Sequence, residues 1–140
     1  MNKLIEFESN LDDLLIFSKK IAGISRKGDW FFLKGDLGAG KTTFVKGILK
    51  GFQFADEVTS PTFSLINEYN ADKKVIHIDC YREKELERWI LLGINEYFDN
   101  SNIVIIEWPN IIKSVLPNKN LYEFKFSHIS NNKRSINLIR

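Results

Sequence analysis

One short segment of the chain carries the residue types that bind phosphate. Residues 35–42 read Gly-Asp-Leu-Gly-Ala-Gly-Lys-Thr and match the pattern G-x-x-x-x-G-K-[ST] at each fixed position. The glycines allow backbone N–H groups to turn inward around an anion, where a Cβ atom would block the dihedral angles or the phosphate. Lys41 can reach the β- and γ-phosphates, and the Thr42 hydroxyl can ligate Mg²⁺. The alternative is a chance glycine-rich turn with a surface lysine.

The residues on either side of this segment favour the phosphate-binding interpretation. Trp30–Leu33 is a short apolar run, typical of a strand buried on both faces. Apolar residues at helical spacing follow the loop, and a helix opening at Lys41 would add its N-terminal partial charge to the site. A strand, a loop and a helix in this order are the context that the motif requires. The predicted nucleotide-binding residues here are Asp36, Leu37, Gly38, Ala39, Gly40, Lys41, Thr42 and Thr43.

Two acidic residues follow apolar runs that predict strands. Glu107 follows Ile103–Ile106, and Asp79 follows Val75–Ile78. A phosphate loop needs a carboxylate at the end of a nearby strand to hold the water shell of the metal. Because the run before Glu107 is the more apolar one, we expect it beside the strand of the phosphate loop, with Glu107 in the metal role. Asp79 then orients the attacking water or binds a ligand of the metal rather than the metal itself. Alternatively, it caps its strand or pairs with Arg82.

Other polar and aromatic residues near these positions allow two interpretations each. The Thr59-Ser60-Pro61-Thr62 segment could sense the γ-phosphate, as switch loops do, or form an ordinary turn. Trp108 could line the nucleotide pocket or belong to the core. His77 and His128 have no companions at metal-ligand spacing and are predicted to be structural. The Asn118-Lys119-Asn120-Leu121 run lacks the Asp of a guanine-reading N-K-x-D motif, which favours ATP over GTP.

The remaining pattern predicts the scaffold. We expect a first helix after Ser9 that Gly23 ends, a β-hairpin around residues 70–73, a helix that buries Leu86, Trp89 and Ile90, and a helix from Pro109 to Val115. Two late strands follow, the first with Tyr122, Phe124 and Phe126 on one face and the second over Arg134–Ile139. Early alternation of strands and helices, with hairpins later, predicts a three-layer α/β fold whose sheet is partly antiparallel.

Length and composition exclude several classes of protein. The 140 residues, 44% of them hydrophobic and 27% charged, predict a single globular domain over residues 1–140. A net charge of +2 argues against a strong grip of its own on nucleic acid. The single cysteine, Cys80, rules out an intramolecular disulfide and a cysteine-based metal site. The acidic residues near the start do not suit a signal peptide, and no apolar run approaches the length of a membrane span. We therefore expect a soluble cytoplasmic protein.

Several blocks of sequence, in order, resemble the TsaE (YjeE) family of bacterial ATPases, which assist the synthesis of threonylcarbamoyladenosine in tRNA. The resemblance covers about residues 30–140. It rests on the blocks Gly35–Phe44, Ser60-Pro61-Thr62-Phe63, His77-Ile78-Asp79-Cys80-Tyr81-Arg82, Leu92-Gly93 with Glu96-Tyr97-Phe98, and Glu107-Trp108-Pro109.

The resemblance implies a small P-loop domain that hydrolyses ATP slowly and supports the transferase TsaD and its paralogue TsaB, so that tRNA is met through that complex. It also implies site residues: Thr42 and Glu107 match the Mg²⁺ ligands, Asp79 matches an acid important for hydrolysis, and Arg134 matches a C-terminal basic residue near the nucleotide. We therefore expect catalysis to depend on Lys41, Asp79 and Glu107.

The sequence departs from the family pattern in a few places, and other functions remain open. Glu83 stands where the family usually has leucine, and Leu14 and Ser18 stand where a threonine and a glycine are common, which obscures any adenine contact there. A small-molecule P-loop kinase is one alternative, although the chain has only five arginines for a lid and acceptor site. A nucleotide-gated scaffold that needs no turnover is the other.

Overall fold

The computed structural model describes residues 2–8, 12–35, 40–54, 65–97, 101–116, 121–130 and 133–139. These residues form one seven-stranded sheet flanked by helices. The strands are β1 (Asn2–Glu8), β2 (Trp30–Lys34), β3 (Ile66–Asn70), β4 (Lys74–Asp79), β5 (Ile103–Glu107), β6 (Leu121–Ser130) and β7 (Lys133–Ile139). The helices are α1 (Asp12–Ile24), α2 (Lys41–Gly51) and α3 (Leu86–Leu91), with 3₁₀ turns at Ile94–Tyr97, Pro109–Ile111 and Lys113–Val115.

The sheet has a parallel centre and antiparallel margins. Its strand order is β1-β7-β6-β2-β5-β4-β3. The strands β6, β2, β5 and β4 run parallel, while β3 at one margin and β7 and β1 at the other run antiparallel to their neighbours. The predicted mixed, partly antiparallel sheet is confirmed, and so are the hairpin around residues 70–73 and the position of β5 beside β2.

Alternating residues of the central strands supply two separate apolar layers, because successive side chains of a strand point to opposite faces. Phe31 and Leu33 of β2 pack on the face covered by α1 and α2, whereas Trp30 and Phe32 pack on the face that holds Trp89 of α3. All five side chains are nearly inaccessible to solvent. The helices therefore lie on both faces of the sheet, and the predicted three-layer architecture is confirmed.

Small residues bring α1 and α2 into close contact. A Cβ atom built on Gly47 would lie 2.9 Å from Ser18 Oγ and closer still to Ser18 Cβ, and one on Gly51 would lie 2.6 Å from the Cβ of Ala22. The Ser18 hydroxyl donates to the carbonyl of Leu14 at 2.7 Å, so it does not require a partner from α2. The position of α2, and thus of the residues at its start, depends on this contact.

Several predicted elements differ in detail from the structure. Residues 109–115 form two 3₁₀ turns rather than one α-helix, and α1 continues through Gly23 to Ile24. The side chain of Trp89 is buried, but that of Ile90 is 48% exposed, because a helix of six residues turns only a narrow face to the sheet. Strand β1 was not predicted at all. It is an edge strand that pairs with β7 near the other end of the chain.

Candidate functional site

The parallel strands place the predicted site residues at one edge of the sheet. Leu33 of β2 is paired in register with Glu107 of β5, and Glu107 is paired with Asp79 of β4. Since these strands run in the same direction, their carboxyl ends lie side by side, and β2 continues there into Gly35. The carboxyl edge of a parallel sheet is the usual place for a ligand in α/β proteins. The sheet therefore brings both predicted carboxylates beside the start of the phosphate loop.

Two glycines of the loop have backbone geometry that other residues rarely adopt. Gly35 has φ 143°, and a Cβ atom there would lie 2.6 Å from the carbonyl oxygen of Phe126. Gly40 has φ 109°, and a Cβ atom there would lie 2.9 Å from Leu14 Cδ2. The glycines at these motif positions are thus required by the fold as well as by a ligand. The loop residues Asp36, Leu37, Gly38 and Ala39 lie outside the described part of the chain.

Lys41 begins α2 and places its ammonium group inside the site. The residue is only 5% exposed, and its Nζ donates to the carbonyl of Gly35 at 2.6 Å. The same Nζ lies 4.0 Å from the ring centroid of Trp108, a cation–π contact. Thr42 and Thr43 follow in the first turn of the helix and are partly buried. The N-cap residue Gly40 has no side chain to cap the first turn, so the positive end of α2 faces the loop.

Trp108 contacts Lys41 and also packs against the core, so each of the two interpretations of its sequence position holds in part. It follows β5 with φ 56° and ψ 57°, a left-handed conformation that is rare for a large residue. Its backbone N–H donates to the carbonyl of Leu33 at 3.3 Å, and its ring lies 5.1 Å from that of Tyr81, with 47° between the ring planes. The indole thus lies against Lys41 and, at the same time, against the apolar layer on the α3 face of the sheet.

Glu107 makes a contact that the sequence did not reveal. It is 5% exposed, and its Oε2 lies 2.7 Å from Nε2 of His77, which is 2% exposed. His77 was predicted to be structural because it lacks a metal-ligand companion. Its place two residues before Asp79 was the available signal, since residues i and i+2 of a strand lie on the same face. His77, Asp79 and Glu107 therefore share the face that also holds α2.

Asp79 is partly buried and accepts a hydrogen bond from the backbone N–H of Tyr81 at 3.0 Å. Burial raises the pKa of its carboxyl group, as does the nearby charge of Glu107, whereas the Tyr81 hydrogen bond, His77 and Lys41 act in the opposite direction. Among the described residues it forms no ion pair with Arg82. The carboxylate thus lies beside Lys41 and Glu107 and is not neutralised by a surface arginine.

Arg134 lies farther along the sheet than the other predicted residues. It is in β7, paired in register with His128, two residues beyond the Phe126 that contacts Gly35. Its Nε is buried and makes no hydrogen bond within the described ranges. Strand alternation places Arg134 on the same face as Ile136, a core residue under α1 and α2. This is the face of the sheet covered by α1 and by α2, at whose start the phosphate-binding motif ends.

The donor set fits a cation that is held mainly by water and phosphate. In the described residues no group of three His, Cys, Asp or Glu side chains could hold a metal ion. Mg²⁺ commonly takes only one or two protein ligands and keeps several waters, so a hydroxyl and a carboxylate, as predicted for Thr42 and Glu107, would be enough to hold it. Cys80 offers no alternative, since burial raises the pKa of its thiol to about 12 and keeps it protonated.

No helix within the described ranges is both long and apolar enough to span a bilayer.

The sequence of this chain is similar to those of known proteins. The family model "Threonylcarbamoyl adenosine biosynthesis protein TsaE" matches residues 8–136. The TsaE protein of Haemophilus influenzae is 38% identical over 123 residues, covering 84% of this chain and 78% of the relative. That of Bacillus subtilis is 40% identical over 114 residues, covering 80% and 70%, and that of Borreliella burgdorferi is 36% identical over 125 residues, covering 88% and 90%.

Solved structures extend this likeness to the fold. The crystal structure of Bacillus subtilis YdiB superposes with a TM-score of 0.77 at 31% sequence identity, covering 99% of this chain and 86% of YdiB. The family model spans most of the sequence, and the relatives match it over most of their own length. The resemblance inferred from the motifs is therefore confirmed: the chain belongs to the TsaE family.

Proposed function

We propose that this protein binds ATP with Mg²⁺, hydrolyses it slowly, and through this cycle supports TsaB and TsaD in threonylcarbamoyladenosine modification of tRNA in the cytoplasm. The tRNA modification rests on the names of the relatives, each described as a tRNA threonylcarbamoyladenosine biosynthesis protein. The nucleotide chemistry rests on one observation, the buried ammonium group of Lys41 beside Glu107 and Asp79 at the carboxyl edge of the sheet.

A phosphate oxygen can take the place of the Gly35 carbonyl as the hydrogen-bond acceptor of Lys41. Its ammonium donates to the Gly35 carbonyl and lies against the Trp108 ring, so it is already dehydrated and directed at the loop. A triphosphate oxygen offers a full negative charge in place of a neutral carbonyl, and charge-assisted hydrogen bonds are the stronger ones. Exchange of partners therefore needs little movement of α2.

The two carboxylates have separate tasks in this proposal. Mg²⁺, when bound, would neutralise part of the negative charge of the phosphates. Thr42 and Glu107 would hold it, and the burial of Glu107 keeps that carboxylate in place. Asp79 accepts the proton of the attacking water or orients that water, since its raised pKa makes it a better proton acceptor than a solvated carboxylate.

The test of nucleotide binding compares two lysines of the same helix. Lys41→Ala should weaken ATP binding roughly 10- to 150-fold, because a hydrogen bond to a charged group contributes about 1.5–3 kcal/mol. Lys46→Ala is the matched control, since Lys46 lies on the exposed side of α2. Isothermal titration with ATP and Mg²⁺ measures both. Equal affinity of Lys41→Ala and the unaltered protein would refute the proposed site.

The test of turnover separates hydrolysis from binding. Glu107→Gln should still bind ATP, with a smaller gain in affinity from Mg²⁺, and should lose most hydrolysis at saturating ATP; survival of function in cells with this variant would favour a nucleotide-gated scaffold instead. Many P-loop enzymes accelerate hydrolysis with an arginine that stabilises the charge of the transition state. This arginine comes either from the same chain, where Arg82 is exposed, or from a partner. ATPase assays with and without TsaB and TsaD distinguish these sources. Full activity alone, unchanged by the partners, would contradict regulation by the complex.

The partnership itself is tested by pull-down with TsaB and TsaD in ATP, in ADP and without nucleotide. We expect retention that depends on the nucleotide, because Gly35 and the start of α2 lie at the same edge as the strand ends that carry Glu107 and Asp79, so a partner bound at this edge would contact the nucleotide. Absence of binding under all three conditions would remove the partners from the proposal and leave the nucleotide site unaffected.

A further inference from the structure

We propose that His77 is a positioning residue that holds the Glu107 carboxylate in the orientation needed at the metal site. The inference rests on the proposed function and concerns one pair of atoms. His77 Nε2 and Glu107 Oε2 are 2.7 Å apart, and the two side chains are 3% and 6% exposed. A hydrogen bond this short between buried groups is a fixed part of the structure rather than a surface contact.

The direction of the hydrogen bond follows from the chemistry of the two groups. We take Glu107 as a carboxylate, which only accepts hydrogen bonds, and therefore assign to His77 the tautomer whose Nε2–H donates a hydrogen bond to Oε2. This bond fixes the last torsion of the Glu107 side chain and leaves Oε1 free of the imidazole. Removal of a residue that orients a metal-binding carboxylate in this way typically lowers metal affinity or activity about 10- to 100-fold.

The register of the strands explains why His77 can reach Glu107. His77 is paired with Ile105, two residues before Glu107 on β5, while Asp79 is paired with Glu107 itself. The imidazole therefore reaches diagonally along the face, toward the carboxyl end of β5. Asp79 occupies the position directly opposite Glu107 and accepts the Tyr81 N–H instead. The two residues of β4 thus have different roles: His77 holds Glu107, and Asp79 acts on the attacking water.

A purely structural role does not explain the choice of histidine. Nδ1 of His77 is buried without a hydrogen-bond partner in the described part of the chain, which is a cost that an aliphatic residue would avoid. Val75, two residues earlier on the same face of β4, is fully buried in the apolar layer, which shows that an aliphatic residue suits this face. The gain that offsets the unpaired Nδ1 is the bond from Nε2 to Glu107.

The experiment measures how strongly Mg²⁺ improves nucleotide binding. The quantity is the ratio of the Kd for AMPPNP in EDTA to the Kd in Mg²⁺, determined by isothermal titration for the full chain. His77→Leu should lower this ratio roughly tenfold and leave the Kd in EDTA unchanged. His77→Gln should restore most of the ratio, because its amide nitrogen occupies the place of Nε2. His77→Asn is the matched control, since its shorter side chain places the amide near Nδ1 and should not restore the ratio.

The outcomes separate this proposal from the proposed function. If the unaltered protein binds AMPPNP with no help from Mg²⁺, the metal site itself fails and this inference fails with it. If the unaltered protein depends on Mg²⁺ but His77→Leu keeps the same ratio, only the role of His77 is refuted. An equal loss of affinity in EDTA and in Mg²⁺ also refutes it, because that result indicates a structural role alone.

A second measurement does not depend on the variants folding. The ¹⁵N shifts of the His77 ring in the unaltered protein report which nitrogen carries a proton. A protonated Nε2 supports the donated bond to Glu107, and an unprotonated Nε2 overturns the proposal.

Discussion

The contact between α1 and α2 yields a sharp prediction about stability. Gly47→Ala adds a methyl group where Ser18 Oγ is 2.9 Å away and Ser18 Cβ is closer still. To restore a carbon–carbon distance of roughly 3.5–4.0 Å, the helices must separate by on the order of 1 Å. Overpacking of this kind costs about 1–3 kcal/mol. Alanine gains back about 1 kcal/mol over glycine through its helix propensity.

Gly23→Ala is the control that measures the helix propensity of alanine without the contact to Ser18. Gly23 is also helical and exposed, and a Cβ atom there would meet nothing within 4 Å. Gly23→Ala should therefore raise the free energy of unfolding through helix propensity alone, by about 0.5–1 kcal/mol this close to the end of α1. The difference between the two variants is then the overpacking cost of about 1–3 kcal/mol. For a chain of this size each kcal/mol corresponds to a shift in Tm of roughly 2–4 °C.

Urea unfolding without nucleotide measures the free energy of unfolding of both variants. A double-mutant cycle with Ser18→Gly adds a second check, because removal of the Ser18 Cβ and hydroxyl should let Gly47→Ala behave like Gly23→Ala. Equal free energies of unfolding for the two alanine variants, or a cycle with no coupling between Ser18 and Gly47, would refute the close helix contact.

Three other predictions follow from the site. Asp79→Asn should stabilise the nucleotide-free protein at neutral pH. Burial raises the pKa of the aspartate above 3.8, so its contribution to stability is lost as the pH rises through the folded pKa. In urea unfolding from pH 3 to 8, the difference in free energy of unfolding between the variant and the unaltered protein should therefore shrink toward acid pH. Cys80, with a pKa of about 12 against an ordinary 9.0, should resist thiol reagents at pH 8 until urea is added, and its contribution to stability should be lost between pH 9 and 12. Rapid labelling of the folded protein would contradict this. Gly35→Ala should weaken ATP binding, measured by isothermal titration, because its Cβ would meet the Phe126 carbonyl; unchanged affinity would contradict that geometry.

Much of the fold could be predicted from local pattern. The β2 strand, the start of α2 at Lys41, the β3–β4 hairpin and the alternation of β6 are where the sequence places them. These elements have strong periodicity or a motif that marks their ends. The turns over residues 109–115 could not be predicted well, because a proline at a helix start suits both an α-helix and a 3₁₀ turn. Strand β1 was missed because its partner β7 lies at the far end of the sequence.

The candidate site divides in the same way. The motif identified Lys41 and Thr42, and the position of Glu107 after an apolar run identified the carboxylate beside the loop. The cation–π contact of Lys41 with Trp108 has no signal in the order of residues, and the bond from His77 to Glu107 has only the two-residue spacing of His77 and Asp79, which predicts the face of the strand but not the partner. Each depends on strand register, and a shift of one residue would place the side chain on the opposite face.

The residue pattern alone determined which groups are available for the chemistry: a glycine-rich turn, one lysine, a hydroxyl and acids at strand ends. These are local properties, since the backbone freedom of glycine and the charge of a side chain do not depend on distant contacts. Tertiary structure decided which of those groups meet. Parallel pairing of β2, β5 and β4 brings residues 28 to 74 positions apart in the chain to one edge, and helix packing through Gly47 sets where α2 begins. Those distances arise from the register and packing of the whole sheet, which short-range pattern does not encode.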